Sequence, residues 1–157
     1  PTLRQGYFND PEQTAGSFKD GWFLTGDLVR RDDDEFLFFF TRKKDIIRRR
    51  GENISGAEID SAIGSHPDIL ECASIGVASD LGEEEILLAV VARAGTQITP
   101  EIVHAYAKQK LSPIKRPRYI VMVESLPHTG SMKIAKFRLK PADNLRQQAT
   151  DFSMKEI

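Results

Sequence analysis

One cysteine, Cys72, stands in 157 residues, which excludes an internal disulfide and any cysteine-based metal cluster. The three histidines, His66, His104 and His128, lie far apart with no ligand spacing, so no structural metal is expected. No apolar run approaches the roughly 20 residues that a bilayer span requires, and the first residues lack the basic-then-apolar pattern of an export signal. A net charge of -1 supplies no global field to draw nucleic acid or an anionic membrane. Internal repeats and low-complexity segments are absent as well. Cys72 sits in the apolar alternation Leu70 to Val77 and reads as a reduced, half-buried core thiol rather than a nucleophile, so the expected setting is a reducing cytoplasm.

What is present is the make-up of a globular chain, with 40% hydrophobic and 29% charged residues. The first forty residues hold no segment able to bury its own core. Gly6 to Pro11 is turn-rich, Glu12 to Phe18 makes at most two helical turns, and Asp20-Gly21 and Thr25-Gly26-Asp27 are turns around the short strands Trp22-Phe23-Leu24 and Leu28-Val29-Arg30. Asp32-Asp33-Asp34 predicts a tight acidic turn. Glu35 to Phe40 follows as an aromatic strand with phenylalanine on both faces, which predicts cover on both sides. Exposed aromatics without a partner sheet suggest the end of a truncated upstream domain.

From Asp45 the pattern becomes that of a compact module. Ser55-Gly56-Ala57-Glu58 fits a capping box opening a helix with Ile59 and Ile63 inward, ending near His66-Pro67. Leu70 to Val77 and Glu85 to Arg93 predict paired strands across the polar turn Ala78 to Gly82. Thr99-Pro100-Glu101 starts a second helix with the apolar stripe Ile102, Val103, Tyr106, Ala107 and Leu111. Tyr119 to Val123 is a third strand, followed by the loop Pro127 to Lys133 and a short amphipathic helix through Phe137 and Leu139. The tail from Pro141 is polar and expected to fray. The fold class is α+β, a small three-stranded sheet flanked by helices and preceded by β-hairpin elements. The expected division is 1–43, the tail of a large N-terminal domain; 44–140, a C-terminal module hinged at Lys44; and 141–157, a polar tail.

Three features could carry chemistry. Asp27, just past a glycine turn, could accept from a pair of hydroxyls such as those of a ribose; taken alone, a turn aspartate satisfying local amides accounts for it better. The cations Arg42, Lys43, Lys44, Arg48, Arg49 and Arg50 could bind phosphates or nucleic acid, but Asp45 and Ile46-Ile47 interrupt them and no aromatics interleave for stacking, so a solvated face beside a hinge is the simpler reading. Thr129-Gly130-Ser131-Met132-Lys133 makes a loop able to deliver an ammonium to an anion.

In order along the chain, Gly6-Tyr7-Phe8-Asn9-Asp10-Pro11, Asp20-Gly21-Trp22-Phe23-Leu24-Thr25-Gly26-Asp27-Leu28, Arg42-Lys43-Lys44-Asp45-Ile46-Ile47, Gly51-Glu52-Asn53-Ile54, His66-Pro67 and the final lysine loop form a specific set. With them the chain resembles the C-terminal part of the acyl-CoA synthetases (AMP-forming) of the adenylate-forming superfamily, which also holds peptide-synthetase adenylation domains and luciferases. The resemblance runs from Gly6 to about Lys140, and Ile46 to Glu58 is similar in wording to carnitine-CoA-ligase-like and medium- to long-chain fatty-acid members.

The resemblance implies a ligase that uses ATP and CoA in two steps, through an acyl-adenylate to a thioester, with Mg2+ accompanying ATP but no metal ligand in this chain. Asp27 and Arg42 match the ATP/AMP ribose contacts, Lys44 the hinge, Lys133 the catalytic lysine, and Gly51, with Arg50 and Glu52, the approach to the CoA pantetheine. The implied partners are the chain's own N-terminal domain and small-molecule substrates, without nucleic acid or a transmembrane segment, and the fragment alone is expected to be inactive. Two alternatives stay open: an adenylating domain with a non-CoA acceptor, and a noncatalytic phosphate- or nucleic-acid-binding module using Arg42 to Arg50. The sequence departs from the family twice. Met132 and Arg50 stand where glycine is usual, and a positive φ at Met132 would cost about 1 to 2 kcal/mol, unless Gly130 moves the bend two residues earlier.

Overall fold

The computed structural model describes residues 5–79, 82–139 and 143–153; Pro1, part of the Ala78–Gly82 turn, Lys140 and the start of the tail at Pro141 lie outside them. The chain divides into two compact units, Pro1–Lys44 and Asp45–Ile157.

The first unit is built from hairpins. Helix α1 (Pro11–Ser17) begins where the Asp10 side chain accepts from the Gln13 amide, with proline at its first position. Strands β1 (Phe18–Lys19) and β2 (Trp22–Phe23) pair across Asp20-Gly21, both at positive φ (50° and 81°), the geometry of a type I′ turn. Strands β3 (Asp27–Arg31) and β4 (Leu37–Arg42) form a second hairpin, with Asp27 opposite Arg42. Its turn is a three-residue loop. The Asp32 amide donates to the Phe36 carbonyl, the Glu35 amide to the Asp32 carbonyl, and Asp32 Oδ1 accepts from the Phe36 amide, while Glu35 takes a φ of 68°. The expected cover on both faces of the aromatic strand is not found within this unit: Phe36, Phe38, Phe39 and Phe40 are all exposed, because β4 pairs with β3 alone in a two-stranded sheet.

The second unit opens with a tight hairpin. Strand β5 (Ile46–Arg49) pairs with β6 (Glu52–Ser55), and Ile47 and Ile54 face each other, fully buried. Helix α2 (Gly56–Gly64) starts with Ser55 Oγ accepting from the Glu58 amide, as the capping box predicts; the Glu58 carboxylate goes instead to Lys115 Nζ at 2.6 Å. Ile59 and Ile63 are completely buried, each contributing about 1.5 to 3 kcal/mol. Strands β7 (Ile69–Ala78) and β8 (Glu84–Ala92) are antiparallel neighbours. Helix α3 (Pro100–Lys110) is the crossover that lets β9 (Tyr119–Met122) lie parallel to β8. Every residue from Ile86 to Val91 is buried, and the even and odd positions of β8 join different cores. Ile86, Leu88 and Val90 pack with Ile47, Ile54, Ile59, Ile63 and Val103, on the face of α2, α3 and the hairpin. Leu87, Ala89 and Val91 pack with Leu126 and Leu139 on the other face, joined by Leu145 of α4 (Asp143–Gln148).

Two expectations need correcting. The stripe of α3 is rotated: Val103, His104 and Ala107 are buried, while Ile102 is 45% exposed. His104 is buried because its ring stacks flat on Phe152, centroids 4.1 Å apart. Phe152 also overturns the frayed tail. Strand β10 (Thr150–Asp151) pairs with β9, so the sheet has four strands in the order β10-β9-β8-β7, and the bidentate Arg118–Asp151 ion pair (3.1 and 3.0 Å) fastens it. A polar composition concealed one large aromatic, and that one anchors the end.

Candidate functional site

In the first unit, cross-strand pairing brings together two of the expected site residues. Asp27 begins β3 and Arg42 ends β4, and Arg42 Nε lies 3.0 Å from Asp27 Oδ1. Asp27 follows Gly26 at a φ of 75°, and the Gly26 carbonyl accepts from the Lys43 amide at 2.8 Å, which closes this end of the hairpin. The Asp27 side chain is about one-third exposed and that of Arg42 more so. A carboxylate held by a guanidinium, with lone pairs still open to solvent, fits two neighbouring hydroxyls, whereas an aspartate serving only its own turn would be spent on local amides. Lys44 lies in a one-turn 3-10 helix, Lys43–Asp45, and is the last residue of the first unit.

In the second unit the remaining candidates occupy two hairpin tips. Arg50 and Gly51 join β5 to β6 with Arg49 opposite Glu52, and both have positive φ (50° and 77°), again a type I′ turn. A preference for glycine at the position of Arg50 therefore has a backbone cause. Gly51 donates its amide to the Glu83 carboxylate (3.1 Å to each oxygen), and the Arg48 amide donates to Glu84 Oε2 at 3.0 Å. The basic run is not one solvated face. Arg49 points inward, with Nε 2.7 Å from Glu85 Oε2 and Nη1 donating to the carbonyls of Ile114 and Arg116. This was not foreseen, although alternation along β5 places Ile47 and Arg49 on one face.

Lys133 lies on the second tip. The Ala135 amide donates to the Pro127 carbonyl (2.7 Å), His128 bridges Ile134, the Thr129 amide donates to the Lys133 carbonyl (2.8 Å), and the Met132 amide to the Thr129 carbonyl (3.0 Å). Thr129 Oγ1 accepts from the Lys133 amide at 3.3 Å. This is the same three-residue turn as at Asp32–Phe36, with Thr129 in the place of Asp32 and Met132 in the place of Glu35. Met132 has a φ of 61°, and Gly130 is not among the positive-φ residues, so the bend is not moved earlier. Met132 is 79% exposed, which leaves Lys133 beside a side chain without packing of its own.

Below this hairpin lies a largely buried polar cluster, Ser74 with the partly exposed Asp60 and Lys136, that sequence reasoning missed. Asp60 of α2 accepts through Oδ1 from the Ser74 amide (2.6 Å) and hydroxyl (2.7 Å), and its Oδ2 lies 2.5 Å from Lys136 Nζ. Burial raises the Asp60 carboxyl above its ordinary range, outweighing Lys136 and Ser74, which lower it. The neighbouring Cys72 thiol is pushed up to about 12 by burial and then by Asp60, in keeping with an inert core thiol. Among the described residues no group of three or more His, Cys, Asp or Glu could hold a metal ion, and no helix is long and apolar enough to cross a membrane.

A two-faced α+β module of this kind, following along the chain a hairpin that carries an aspartate–arginine pair, has the fold of the C-terminal domain of adenylate-forming enzymes. Residues 58–133, just under half of the chain, match the family model of the AMP-binding enzyme C-terminal domain, and this part of the chain belongs to that family. It is 38% identical over 136 residues to oxalate–CoA ligase of Arabidopsis thaliana, covering 87% of this chain and 26% of that protein. It is 40% identical over 139 residues to the mitochondrial medium-chain acyl-CoA ligase ACSF2 of Rattus norvegicus, covering 88% and 23%. The structure of o-succinylbenzoate CoA synthetase (MenE) from Bacillus subtilis, in complex with its acyl-adenylate intermediate, aligns with a TM-score of 0.76 at 30% identity over 87% of this chain and 28% of that one. The chain thus spans about a quarter of the length of the relatives it matches.

Proposed function

We propose that this chain is the lid, with the end of the preceding large domain, of an ATP-dependent carboxylate–CoA ligase acting on a fatty-acid or carnitine-like substrate, in the cytoplasm. The carrying observation is the accessible Asp27–Arg42 pair, a built acceptor for ribose hydroxyls in a chain similar to CoA ligases. In the first step the substrate carboxylate attacks the α-phosphorus of ATP, and pyrophosphate leaves. The ammonium of Lys133 serves between the carboxylate and the α-phosphate, where negative charge accumulates, so it stabilises the transition state more than bound substrate. In the second step the CoA thiolate attacks the acyl carbon, and AMP leaves with the bonding electrons. Lys44 is the pivot between the two arrangements, and the Arg50–Gly51–Glu52 turn flanks the pantetheine path. Mg2+ would accompany ATP with ligands from elsewhere in the enzyme.

The exposed phenylalanines of β4 suit this reading, since a covering layer would come from the large domain. The isolated chain, lacking that domain, neither adenylates nor forms thioester; acyl-CoA made by the chain alone would overturn this. The decisive experiment is pyrophosphate release by the full-length enzyme across a panel of carboxylates, beside Lys133→Ala. Loss of adenylation in the variant by about 100-fold or more is expected for an electrostatic contact made in the transition state, and an unchanged rate removes Lys133 from this role.

A further inference from the structure

A lysine on an exposed turn must be held in place to serve as a catalytic group, and the tip around Lys133 offers little rigidity of its own. The tip has a left-handed methionine and weak hydroxyl contacts, Thr129 Oγ1 to Ser131 Oγ at 3.0 Å among them. The two feet of the hairpin differ. At the incoming foot His128 Nε2 lies 2.8 Å from Glu71 Oε1 on β7, with both side chains about one-third exposed or less. A carboxylate only accepts, so Nε2 carries the proton and donates. At the outgoing foot Lys136, the first residue after the buried Ala135, reaches into the Asp60–Ser74 cluster between α2 and β7.

This second socket is shaped as well as charged. A Cβ on Gly56 would come within 3.1 Å of Lys136 Nζ and of Ser74 Oγ and 3.0 Å of the Asp45 carbonyl, so glycine at the start of α2 leaves the space that the ammonium fills. Hence the socket touches Asp45, the first residue of the second unit.

We propose that His128 and Lys136 are positioning residues: two struts, His128–Glu71 and Lys136–Asp60/Ser74, fix the Lys133 hairpin to β7 and α2, so that the lysine moves with the lid as one rigid piece. The proposal rests on the reading of Lys133 given above. Struts of this kind act only on the step that uses Lys133, which separates them from a general structural role. Lys136→Met keeps the apolar stem in the socket while removing its charge, and far-UV circular dichroism checks that the variant folds.

The test uses the full-length enzyme and two assays, pyrophosphate release for adenylation and thioester formation from supplied acyl-adenylate and CoA. Lys136→Met and His128→Ala are each expected to lower the kcat of adenylation about tenfold or more, with KM for ATP and carboxylate changed less than twofold and thioester formation unchanged. Lys136→Arg restores most of the loss. Parallel loss in both half-reactions overturns the proposal, and so does loss in neither when Lys133→Ala abolishes adenylation. Hydrogen exchange of the Met132 and Ala135 amides separates it from the assignment of Lys133. Faster exchange in Lys136→Met supports the struts even if Lys133→Ala adenylates normally, and unchanged exchange refutes them whatever the kinetics show.

Discussion

Replacing Arg50 by asparagine or glycine should stabilise the protein, and the series of replacements should follow backbone conformation rather than charge. Arg50 and Gly51 are the two central residues of a type I′ turn, at φ 50° and 77°. A side chain beyond glycine, asparagine or aspartate costs about 1 to 2 kcal/mol in the left-handed region. Asparagine tolerates it, so Arg50→Asn should gain about 0.5 to 1 kcal/mol. Glycine removes the whole strain but adds freedom to the unfolded chain worth about 0.4 to 1 kcal/mol, so Arg50→Gly should match Asn or fall slightly below it. Alanine meets the same clash as arginine and should change little, whereas valine should destabilise. With a denaturant slope of about 1.5 kcal/mol per M for urea, Arg50→Asn raises the midpoint by about 0.5 M. Far-UV circular dichroism is the suitable probe, since α2 and α3 lie in the second unit and the lone tryptophan, Trp22, reports on the first. If Arg50→Ala stabilises as much as Arg50→Asn, the cause is the lost cation and the strained-turn account fails.

Cys72, its thiol pushed up to about 12 from 9.0, should carry about a thousandfold less thiolate than a free cysteine, so iodoacetamide should label it only on unfolding; rapid labelling of native protein at pH 8 would contradict the buried cluster. The folded carboxyl of Asp60 is raised, so the folded state binds the proton more tightly, and this group's contribution falls as pH rises from about 3.8 through the folded pKa. The stability deficit of Asp60→Asn, read from urea midpoints, should therefore shrink as pH is taken from below 4 toward neutrality, and a deficit that grows would refute the sign. Arg49→Ala leaves the Glu85 carboxylate buried without its cation and should cost about 3 to 5 kcal/mol in the same measurement, whereas a loss below about 1 kcal/mol would show that the pair is solvated.

Turn chemistry and apolar periodicity were legible in the residues. Asp20-Gly21, the Ser55 and Thr99 caps and the pair Ile59 and Ile63 all declared themselves locally, and the elements built on them formed near where they were expected. What escaped was set by tertiary partners. Nothing local distinguishes Arg49 from Arg48 and Arg50, yet alternation along β5 turns it into the protein toward Glu85. The stripe of α3 was misjudged because the burial of His104 depends on Phe152, almost fifty residues away, in a segment whose average polarity spoke for disorder. The aromatic strand shows a related limit, since apolar residues on both faces record a need for cover without saying which part of the molecule supplies it. For the site, Asp27 and Arg42 were named separately, and strand register made them a pair. The cluster of Asp60, Ser74 and Lys136 gave no signal at all, because its members are spread over α2, β7 and the turn after Ala135 and each is unremarkable alone.

The four-stranded order β10-β9-β8-β7 has a consequence for solubility. With β10 in place, the hydrogen-bonding edge of β9 is occupied by the chain's own short strand, and Phe152 plugs the core beside it. A chain cut after Leu139 would uncover the backbone of Tyr119–Met122 together with the ring of His104, offering a neighbouring molecule an apolar strand edge on which to add. The last turns of this small module thus act as a guard against self-association, and shortened versions should be lost to aggregates before they are lost to unfolding.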